Sequence, residues 1–140
     1  MTDVHDSFTR SKNMAAIRST VTKPELYVRK ILYRAGYRYR LHVKKLPGKP
    51  DIVLKKYNLV IFVNGCFWHG HNCALFKLPK TRTEFWKTKI SKNVLNDQRN
   101  ISNLVHTGWN VKTVWECMLK GKNKLESSKL LENIEQWISE

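Results

Sequence analysis

The chain has 140 residues, a length that predicts one domain with a buried core of its own. Its 26 Lys and Arg residues outnumber its 11 Asp and Glu residues, which gives a formal net charge of +15. That excess favours a polyanionic partner, most often nucleic acid, over basicity that serves solubility alone. No apolar run approaches the roughly 18 residues that span a bilayer, and no signal-peptide core is visible, so we expect a soluble cytoplasmic protein without a membrane role.

Residues 1–21 are polar and predict an N-terminal arm that is separate from the core. The arm contains Arg10 and Lys12, few apolar residues, and a stretch at residues 13–17 that is compatible with a short helix. Composition alone leaves two interpretations open, an arm that lies on DNA and a disordered tail. Residues 22–140 are predicted to form a single domain.

The segment after the arm predicts a helix followed by a three-stranded meander. Thr22, Pro24 and Glu25 form a helix start, because Thr caps, Pro suits the first turn and Glu completes a capping box. Apolar residues at helical spacing continue until Gly36 ends the helix. Strands are predicted over residues 37–43, 51–54 and 59–63. The last of these is an unbroken apolar run, which is typical of a strand buried on both faces.

A long helix is predicted from about residue 83 to residue 106, with Gly108 just beyond its end. Its apolar stripe consists of Ile90, Val94, Ile101, Leu104 and Val105. A further strand over residues 109–115 and a last helix over residues 125–139 follow. The core face of that helix is predicted to contain Leu131, Ile134, Trp137 and Ile138. The order of elements predicts an α/β fold, a three-layer sandwich on a mixed β-sheet.

Metal-ligating residues are concentrated directly behind the central strand. Cys66, His69, His71 and Cys73 lie there, and Cys117 follows the last strand. Three sulfurs and one imidazole would suit a closed tetrahedral structural zinc. Buried free thiols that act as small hydrophobes are the alternative, and the spacing does not choose between the two histidines.

Three carboxylates are candidates for catalysis. Asp51 opens a strand beside the central one, where an acidic residue can hold Mg²⁺ for phosphodiester cleavage, although Pro-Asp pairs are more often turn residues. Glu25 is explained by the helix cap. Asp97 falls within the apolar stripe of the long helix and therefore needs a partner. That partner is either a Lys or Arg or a histidine that acts as general base, for which His69 is the candidate.

Large aromatic residues lie among the positive charges. Phe67 and Trp68 follow the turn at the end of the central strand, and Trp86 lies in the first turn of the long helix. Apolar wedges of this kind can insert between base pairs or stack on exposed bases. A hydrophobic cluster that covers the zinc loop is an equally good interpretation.

Seven motifs resemble those of the very-short-patch-repair (Vsr) endonucleases, in the same order and spacing over nearly the whole chain. They begin at Arg10, Leu46, Val60, Gly65, Thr81, Lys92 and Val114, and they read RSKNM, LPGKPD, VIF, GCFWH, TRTEFW, KNV and VWEC. The resemblance implies a restriction-endonuclease-like fold with a structural zinc site. It also implies Mg²⁺-dependent nicking of double-stranded DNA, 5′ to the T of a T:G mismatch formed by deamination of 5-methylcytosine.

The resemblance also implies a role for individual residues, by matching position. Asp51 and the backbone carbonyl of Val63 would hold Mg²⁺, His69 would be the general base assisted by Asp97, and Glu25 would order a metal-bound water. The zinc ligands would be Cys66, His71, Cys73 and Cys117. DNA would be contacted by the wedge residues Phe67, Trp68 and Trp86, and from the arm by Met14, Arg10 and Lys12.

Two departures from the family pattern are visible. The family has Thr-His where this chain has Val63-Asn64, and it has an imidazole where this chain has Gly70. Neither change removes a metal ligand, because Val63 would offer only its backbone.

Two rival hypotheses are a catalytically silent, zinc-stabilised DNA-binding module and a general nuclease or RNA binder. We expect a monomer that is associated with the nucleoid when it is bound to DNA, with mismatch-repair proteins as candidate partners.

Overall fold

A mixed four-stranded sheet organises residues 22–140, the part of the chain that the computed structural model describes. Three α-helices among the described residues accompany the sheet. In chain order the elements are α1 (Lys23–Arg34), β1 (Arg40–Leu41), β2 (Ile52–Leu54), β3 (Leu59–Asn64), α2 (Thr83–His106), β4 (Asn110–Trp115) and α3 (Ser127–Ser139). The predicted arm, with Arg10, Lys12, Met14 and the short helix, lies outside the described residues.

The sheet has the strand order β1-β2-β3-β4, with both antiparallel and parallel pairs. The first three strands form the predicted antiparallel meander, in which Ile52 of β2 pairs with Ile61 of β3. β4 runs parallel to β3, with Val60 paired to Val111. A parallel neighbour requires a crossover connection, and α2 provides it. The α/β class and the mixed sheet are therefore confirmed.

Helices pack on both faces of the sheet. On one face, α1 and α3 bury their apolar residues against the strands; this core consists of Val28, Leu32, Ile52, Leu54, Leu59, Ile61, Val114, Leu130 and Ile134. On the other face, Leu104 of α2 packs against Val53 and Val60. β3 contributes to both cores, because its alternate residues point to opposite faces. This explains why its sequence is an unbroken apolar run.

The start of α1 follows the predicted capping chemistry only in part. The Thr22 hydroxyl accepts a hydrogen bond from the Glu25 N–H at 3.3 Å, and Pro24 occupies the first turn. The Glu25 carboxylate, however, is bound by Arg29 and His42. The cap therefore explains the backbone of Glu25 but not its side chain, which is only 3% exposed.

Three details of the predicted elements are wrong. The edge strand over residues 37–43 shortens to Arg40–Leu41, because His42 adopts a left-handed backbone with φ of 46°. Val105 is 54% exposed, since one helical step of about 100° turns it away from its buried neighbour Leu104. In α3, Leu130 is fully buried and Leu131 only half-buried, for the same reason.

None of the helices within residues 22–140 is long and apolar enough to cross a bilayer.

The contrast between Leu104 and Val105 is testable, because both are apolar residues in the last turns of α2. Leu104→Ala should lower the free energy of unfolding by about 2–5 kcal/mol, since it leaves a cavity against β2 and β3. Val105→Ala should change it by less than about 1 kcal/mol, since its side chain is half in water. Urea unfolding followed by circular dichroism measures both. Equal losses in the two variants would contradict the placement of α2.

Candidate active site and metal centres

The antiparallel pairing of β2 and β3 brings the start of one strand beside the end of the other. Asp51 immediately precedes β2, and Val63 lies near the end of β3. The Val63 N–H donates a hydrogen bond of 2.8 Å to Asp51 Oδ2. The Asp51 carboxylate is therefore tied to the strand that the sequence analysis identified as central.

Pro50 leaves the end of the β2–β3 ladder without one backbone N–H donor. The register of β2 and β3, extended by two residues, places Pro50 opposite Val63. The N–H and C=O of one strand residue point to the same side, so the Val63 carbonyl faces β2, as its N–H does. Pro50 has no N–H to donate to that carbonyl. The register therefore predicts a carbonyl oxygen without a ladder donor, a candidate metal ligand, on the side of β3 that faces Asp51.

Glu25, His42 and Asp51 form a compact group of possible metal ligands, whose ligand atoms all lie within 4.8 Å of one another. His42 Nε2 lies 2.8 Å from Glu25 Oε1 and 3.9 Å from Asp51 Oδ1. Burial is the main cause that raises the pKa of Asp51 to about 6; the Val63 hydrogen bond opposes the shift, and the nearby Glu25 adds to it. A bound cation would favour the ionised carboxylates, so the group fits a divalent ion.

The sequence analysis missed His42. The alternation of a strand over residues 37–43 would place His42 on the same open face as Arg38 and Arg40. The left-handed backbone at His42 ends that alternation and turns the imidazole toward Glu25. The available signal was weak, since it consisted of one histidine before a loop that contains Pro and Gly.

His69 and Asp97 meet between the loop behind β3 and the facing side of α2. His69 Nδ1 lies 2.6 Å from Asp97 Oδ2. An ionised carboxylate can only accept a hydrogen bond, so Nδ1 is the nitrogen that carries the proton. In the neutral ring Nε2 therefore keeps its lone pair. Of the partners considered for Asp97, the structure shows the histidine. Asp97 is less buried than its place in the apolar stripe suggests, because its side chain remains 30% exposed.

Asp51, Val63, His69 and Asp97 line one cleft of about 190 Å³. Its other lining residues are Gly48, Lys49, Phe62, Asn64, Asn100 and Ile101. The volume corresponds to about six water molecules, enough for a phosphate group with a few waters. Lys49 was also missed by the sequence analysis, and it has a left-handed backbone with φ of 50° directly before Pro50. The carboxylate and the candidate general base thus share one cleft although they come from different elements.

A second cluster consists of Cys66, His71, Cys73 and Cys117, whose ligand atoms also lie within 4.8 Å of one another. Cys117 Sγ is 3.6 Å from His71 Nδ1, and the Cys117 N–H points to Cys66 Sγ at 3.3 Å. Tetrahedral zinc with Zn–S bonds of about 2.3 Å places its sulfurs about 3.8 Å apart, so the cluster fits that ion. Burial raises the pKa of the Cys66 thiol, so metal binding must displace its proton.

The structure selects His71 over His69 as the imidazole of this cluster. The His71 ring stacks on Trp115, with 4.0 Å between ring centroids and 11° between planes. His69 is consequently separate from the cysteines and faces Asp97.

The loop that carries these residues is docked on α2. Gly70 has φ of 62°, and a Cβ on it would lie 2.9 Å from Val94 Cγ2 and 3.0 Å from Ile90 Cγ2. A side chain at this position would therefore clash with the helix and require an unfavourable backbone. The Asn93 amide also donates to the Trp68 carbonyl at 2.9 Å. The glycine and the asparagine hold the residues on either side of His69.

The aromatic residues form one cluster beside the zinc-type site. The ring centroids of Phe67, Trp68 and Trp86 are 5.2 to 5.7 Å apart in edge-to-face pairs. Trp68 is nevertheless 48% exposed, and Lys89 Nζ lies within 6 Å of both tryptophan rings. Phe85, which the sequence analysis missed, extends the cluster at the start of α2. The residues thus form both a packed cluster and an exposed apolar edge next to a positive charge.

Comparison with known proteins agrees with this arrangement. The family model described as DNA mismatch endonuclease Vsr matches residues 2–75, which is more than half of the chain. The chain belongs to the Vsr family. The assignment does not depend on that match alone, because whole-length relatives exist.

Three Vsr relatives illustrate the extent of the similarity. DNA mismatch endonuclease Vsr of Escherichia coli (strain K12) is 51% identical over 138 residues, covering 99% of this chain and 88% of that protein. Type II nicking enzyme V.NmeAIP of Neisseria meningitidis is 49% identical over 122 residues, or 87% of each chain. Type II nicking enzyme V.XorIIP of Xanthomonas oryzae pv. oryzae is 47% identical over 127 residues, 91% of this chain and 93% of that one.

Membership of the Vsr family confirms the resemblance inferred from the seven motifs, and it confirms the enzyme class, a DNA endonuclease. The division into an arm at residues 1–21 and a domain at residues 22–140 stays a prediction. So do the roles of the individual site residues, whose positions are now known within the described part of the chain.

The raised pKa of Asp51 makes a prediction about stability without a metal ion. The folded state holds this proton more tightly than the unfolded chain, so the carboxyl group stabilises the fold at low pH. That contribution is lost as the pH rises through about 6. In EDTA at about pH 7.5, Asp51→Asn should therefore be more stable than the wild type by about 2–3 kcal/mol. The difference should vanish near about pH 4, as urea unfolding at several pH values can measure.

Glu132→Gln is the control, because it removes an exposed carboxylate on α3. It should show no comparable change in stability with pH. If Asp51→Asn were no more stable than the wild type at about pH 7.5, burial of the charged Asp51 carboxylate would not be costly, which would contradict the prediction.

Proposed function

We propose that the chain is a Mg²⁺-dependent DNA mismatch endonuclease that nicks the strand 5′ to the T of a T:G mismatch. The observation that carries the proposal is the cleft in which Asp51 and the Asp97-oriented His69 face the same space. The substrate class is supported by the names of the relatives, a mismatch endonuclease and nicking enzymes. The mismatches would arise from deaminated 5-methylcytosine, as in very short patch repair.

Asp51 and the Val63 carbonyl are the proposed Mg²⁺ ligands, with Glu25 ordering water beside them. Both oxygens lie where the β2–β3 ladder ends, and hard oxygens are the ligands that Mg²⁺ prefers. When bound, Mg²⁺ would supply positive charge to the phosphate and to the attacking water. The protein contributes the position of these oxygens and a cleft that admits one phosphodiester.

His69 is the proposed general base. Its Nε2 accepts a proton from the attacking water, while Asp97 holds Nδ1 and stabilises the charge that the ring gains. The geometry resembles that of other carboxylate–histidine pairs, in which the carboxylate fixes the tautomer of the ring. Asp97 is thus a positioning residue, and His69 is the group that touches the reacting water.

Phe67, Trp68 and Trp86 are the proposed wedge that opens the mismatch. Unstacking a base step costs a few kcal/mol, and the cost is least at a mismatch. Stacking of a base on an aromatic ring returns about 1–3 kcal/mol. These two magnitudes are close, so a wedge can discriminate a T:G pair from a matched pair. Arg10, Lys12 and Met14 of the arm would add contacts to the DNA.

Zinc is the proposed occupant of the cluster formed by Cys66, His71, Cys73 and Cys117. Four protein ligands leave no open position, which is typical of a structural rather than a catalytic site. Its proposed task is to hold the loop between β3 and α2, which contains both the wedge and His69. The proposal includes a restriction-endonuclease-like fold for the domain as a whole.

The rival function is a catalytically silent DNA-binding module with the same zinc site and wedge. The pairing of His69 with Asp97 favours the enzyme, because DNA binding alone has no need of an oriented imidazole. A nick in one strand requires no two-fold symmetry, so we propose a monomer. Mismatch-repair proteins as partners and an association with the nucleoid belong to the same proposal.

Removal of one proposed zinc ligand should release the metal and destabilise the fold. Cys73→Ala should lose bound zinc and lower the unfolding midpoint strongly, because the loop loses one of its four anchors. Zinc content by mass spectrometry of the native protein and a thermal melt measure the two effects. Asn123→Ala is the control, since Asn123 lines the same small hollow as Cys73 without being a ligand. Unchanged zinc content and stability in Cys73→Ala would refute the structural zinc.

The nicking reaction itself is tested on labelled duplexes that contain T:G, T:A or C:G at one position. We expect a nick 5′ to the T of the T:G duplex with Mg²⁺ and none with EDTA. Asp51→Ala should reduce the rate by about 10²-fold or more, since several kcal/mol of metal stabilisation are lost. Its affinity for the duplex should be retained.

Glu132→Gln is again the control and should nick as the wild type does. Binding without any Mg²⁺-dependent nick would favour the silent module. Equal cleavage of matched duplex or of RNA would indicate a general nuclease.

A further inference from the structure

His42 has no role in the function proposed so far, yet its side chain points at the carboxylates of Glu25 and Asp51. Its Nε2 lies between Glu25 Oε1 at 2.8 Å and Asp51 Oδ1 at 3.9 Å. The side chain is 17% exposed, so this position is largely shielded from water. The imidazole nitrogen therefore occupies the space beside the two carboxylates to which a cation would be attracted.

The backbone fixes His42 in this position. Its φ of 46° is in the left-handed region, which non-glycine residues seldom adopt. Its N–H donates to the Asp51 carbonyl at 3.1 Å, so the two residues are joined through their backbones as well. Strained residues of this kind persist where the surrounding structure holds them, and they cluster at functional sites.

The three ligand atoms have distances that suit one octahedral ion. Ligands about 2.1 Å from an ion lie about 3 Å apart when adjacent and about 4.2 Å apart when opposite. The distances from His42 Nε2 to Glu25 and Asp51 fall in or near this range, and all three atoms lie within 4.8 Å of one another. The Val63 carbonyl beside Asp51 could supply a fourth protein ligand.

A simple ion pair between His42 and Glu25 explains the arrangement less well. Glu25 already has a cationic partner, because Arg29 contacts its other oxygen, Oε2, at 3.5 Å. Arg29 therefore leaves Oε1 directed at His42. The charge of Glu25 is offset without the imidazole, which leaves Nε2 available as a ligand.

We propose that His42 Nε2 is a direct ligand of the divalent cation, and that the site therefore binds Mn²⁺ in preference to Mg²⁺. Nitrogen ligands favour first-row transition ions, whereas Mg²⁺ prefers oxygen throughout. The inference rests on the proposed function in one respect, the assignment of Asp51 as a cation ligand. It goes beyond that function by adding a ligand and a metal selectivity.

The test measures Mn²⁺ binding to the whole, DNA-free protein by electron paramagnetic resonance. Mn²⁺ is a hard ion that the thiol cluster disfavours, so the signal reports the carboxylate site. Titration with MnCl₂, and competition with MgCl₂, gives the ratio of the two affinities. Pulsed measurements detect ¹⁴N coupling when an imidazole nitrogen is bound to the manganese.

Wild-type protein should show ¹⁴N coupling, and His42→Gln should lose it while its Mn²⁺ affinity falls by about tenfold or more. Gln can still hydrogen-bond Glu25, so the fold should be preserved, as a thermal melt can verify. His69→Gln should keep the coupling, which excludes the histidine that lines the cleft. His106→Gln, at an exposed residue near the end of α2, should bind Mn²⁺ as the wild type does.

The outcomes distinguish this inference from the proposed function. Mn²⁺ binding that requires Asp51, without ¹⁴N coupling and unchanged in His42→Gln, would overturn the role of His42 alone. Unchanged binding in Asp51→Asn would overturn the assignment of the cation site, and the inference with it. Loss of the coupling in His69→Gln but not in His42→Gln would show that His69 supplies the nitrogen ligand, and this would refute the proposal.

Discussion

The hydrogen bond from the Val63 N–H to the Asp51 carboxylate is the interaction on which the site depends. It exists because antiparallel pairing brings the start of β2 beside the end of β3. Burial makes the ionised carboxylate costly, and a single N–H offsets only part of that cost. Pro50 leaves the neighbouring carbonyl without a ladder donor. One break in a ladder thus produces two oxygens that can be stabilised together by a cation.

The loop behind β3 meets a second requirement, which is to hold groups with different proposed functions in consecutive residues. Phe67 and Trp68 belong to the aromatic cluster, and His69 faces Asp97 and the cleft. A shift of about 1 Å in such a loop could cost a large part of the rate. With the proposed zinc bound, the Cys₃His cluster would anchor the loop at one side, and the close contact of Gly70 with α2 anchors it at the other. Because an added Cβ would clash there, the identity of residue 70 matters for packing.

Much of this arrangement could be predicted from the sequence, for physical reasons. The unbroken apolar run of β3 predicts a strand that is buried on both faces. The start of α1 is predicted by strong local capping signals. The four candidate ligands of the Cys₃His cluster were recognisable by residue type, although only the family resemblance, and later the fold, selected His71 over His69. Patterns set by local chemistry or by strict periodicity were thus predicted well.

The remaining features depend on contacts that periodicity does not encode. Alternation predicts the wrong face for His42, because one left-handed residue reverses the direction of its side chain. Lys49 has the same property in a loop where several conformations are compatible with the sequence. Leu130 and Leu131 are adjacent and chemically identical, so only the packing of α3 on the sheet decides which is buried. His42 and Lys49 lie where the chain departs from regular structure, and Lys49 lines the cleft.

Charge connects the site to the rest of the molecule. A chain with a net charge of +15 attracts phosphates over much of its surface and repels metal cations. Among residues 22–140, an oxygen-preferring divalent cation is held best where carboxylates are concentrated and partly shielded, as Glu25 and Asp51 are. A phosphodiester bound as proposed would add negative charge at that same place, which would favour the cation. By linkage, a bound cation must then favour the phosphodiester to the same degree, so the basic surface and the acidic cleft act on the same ligand.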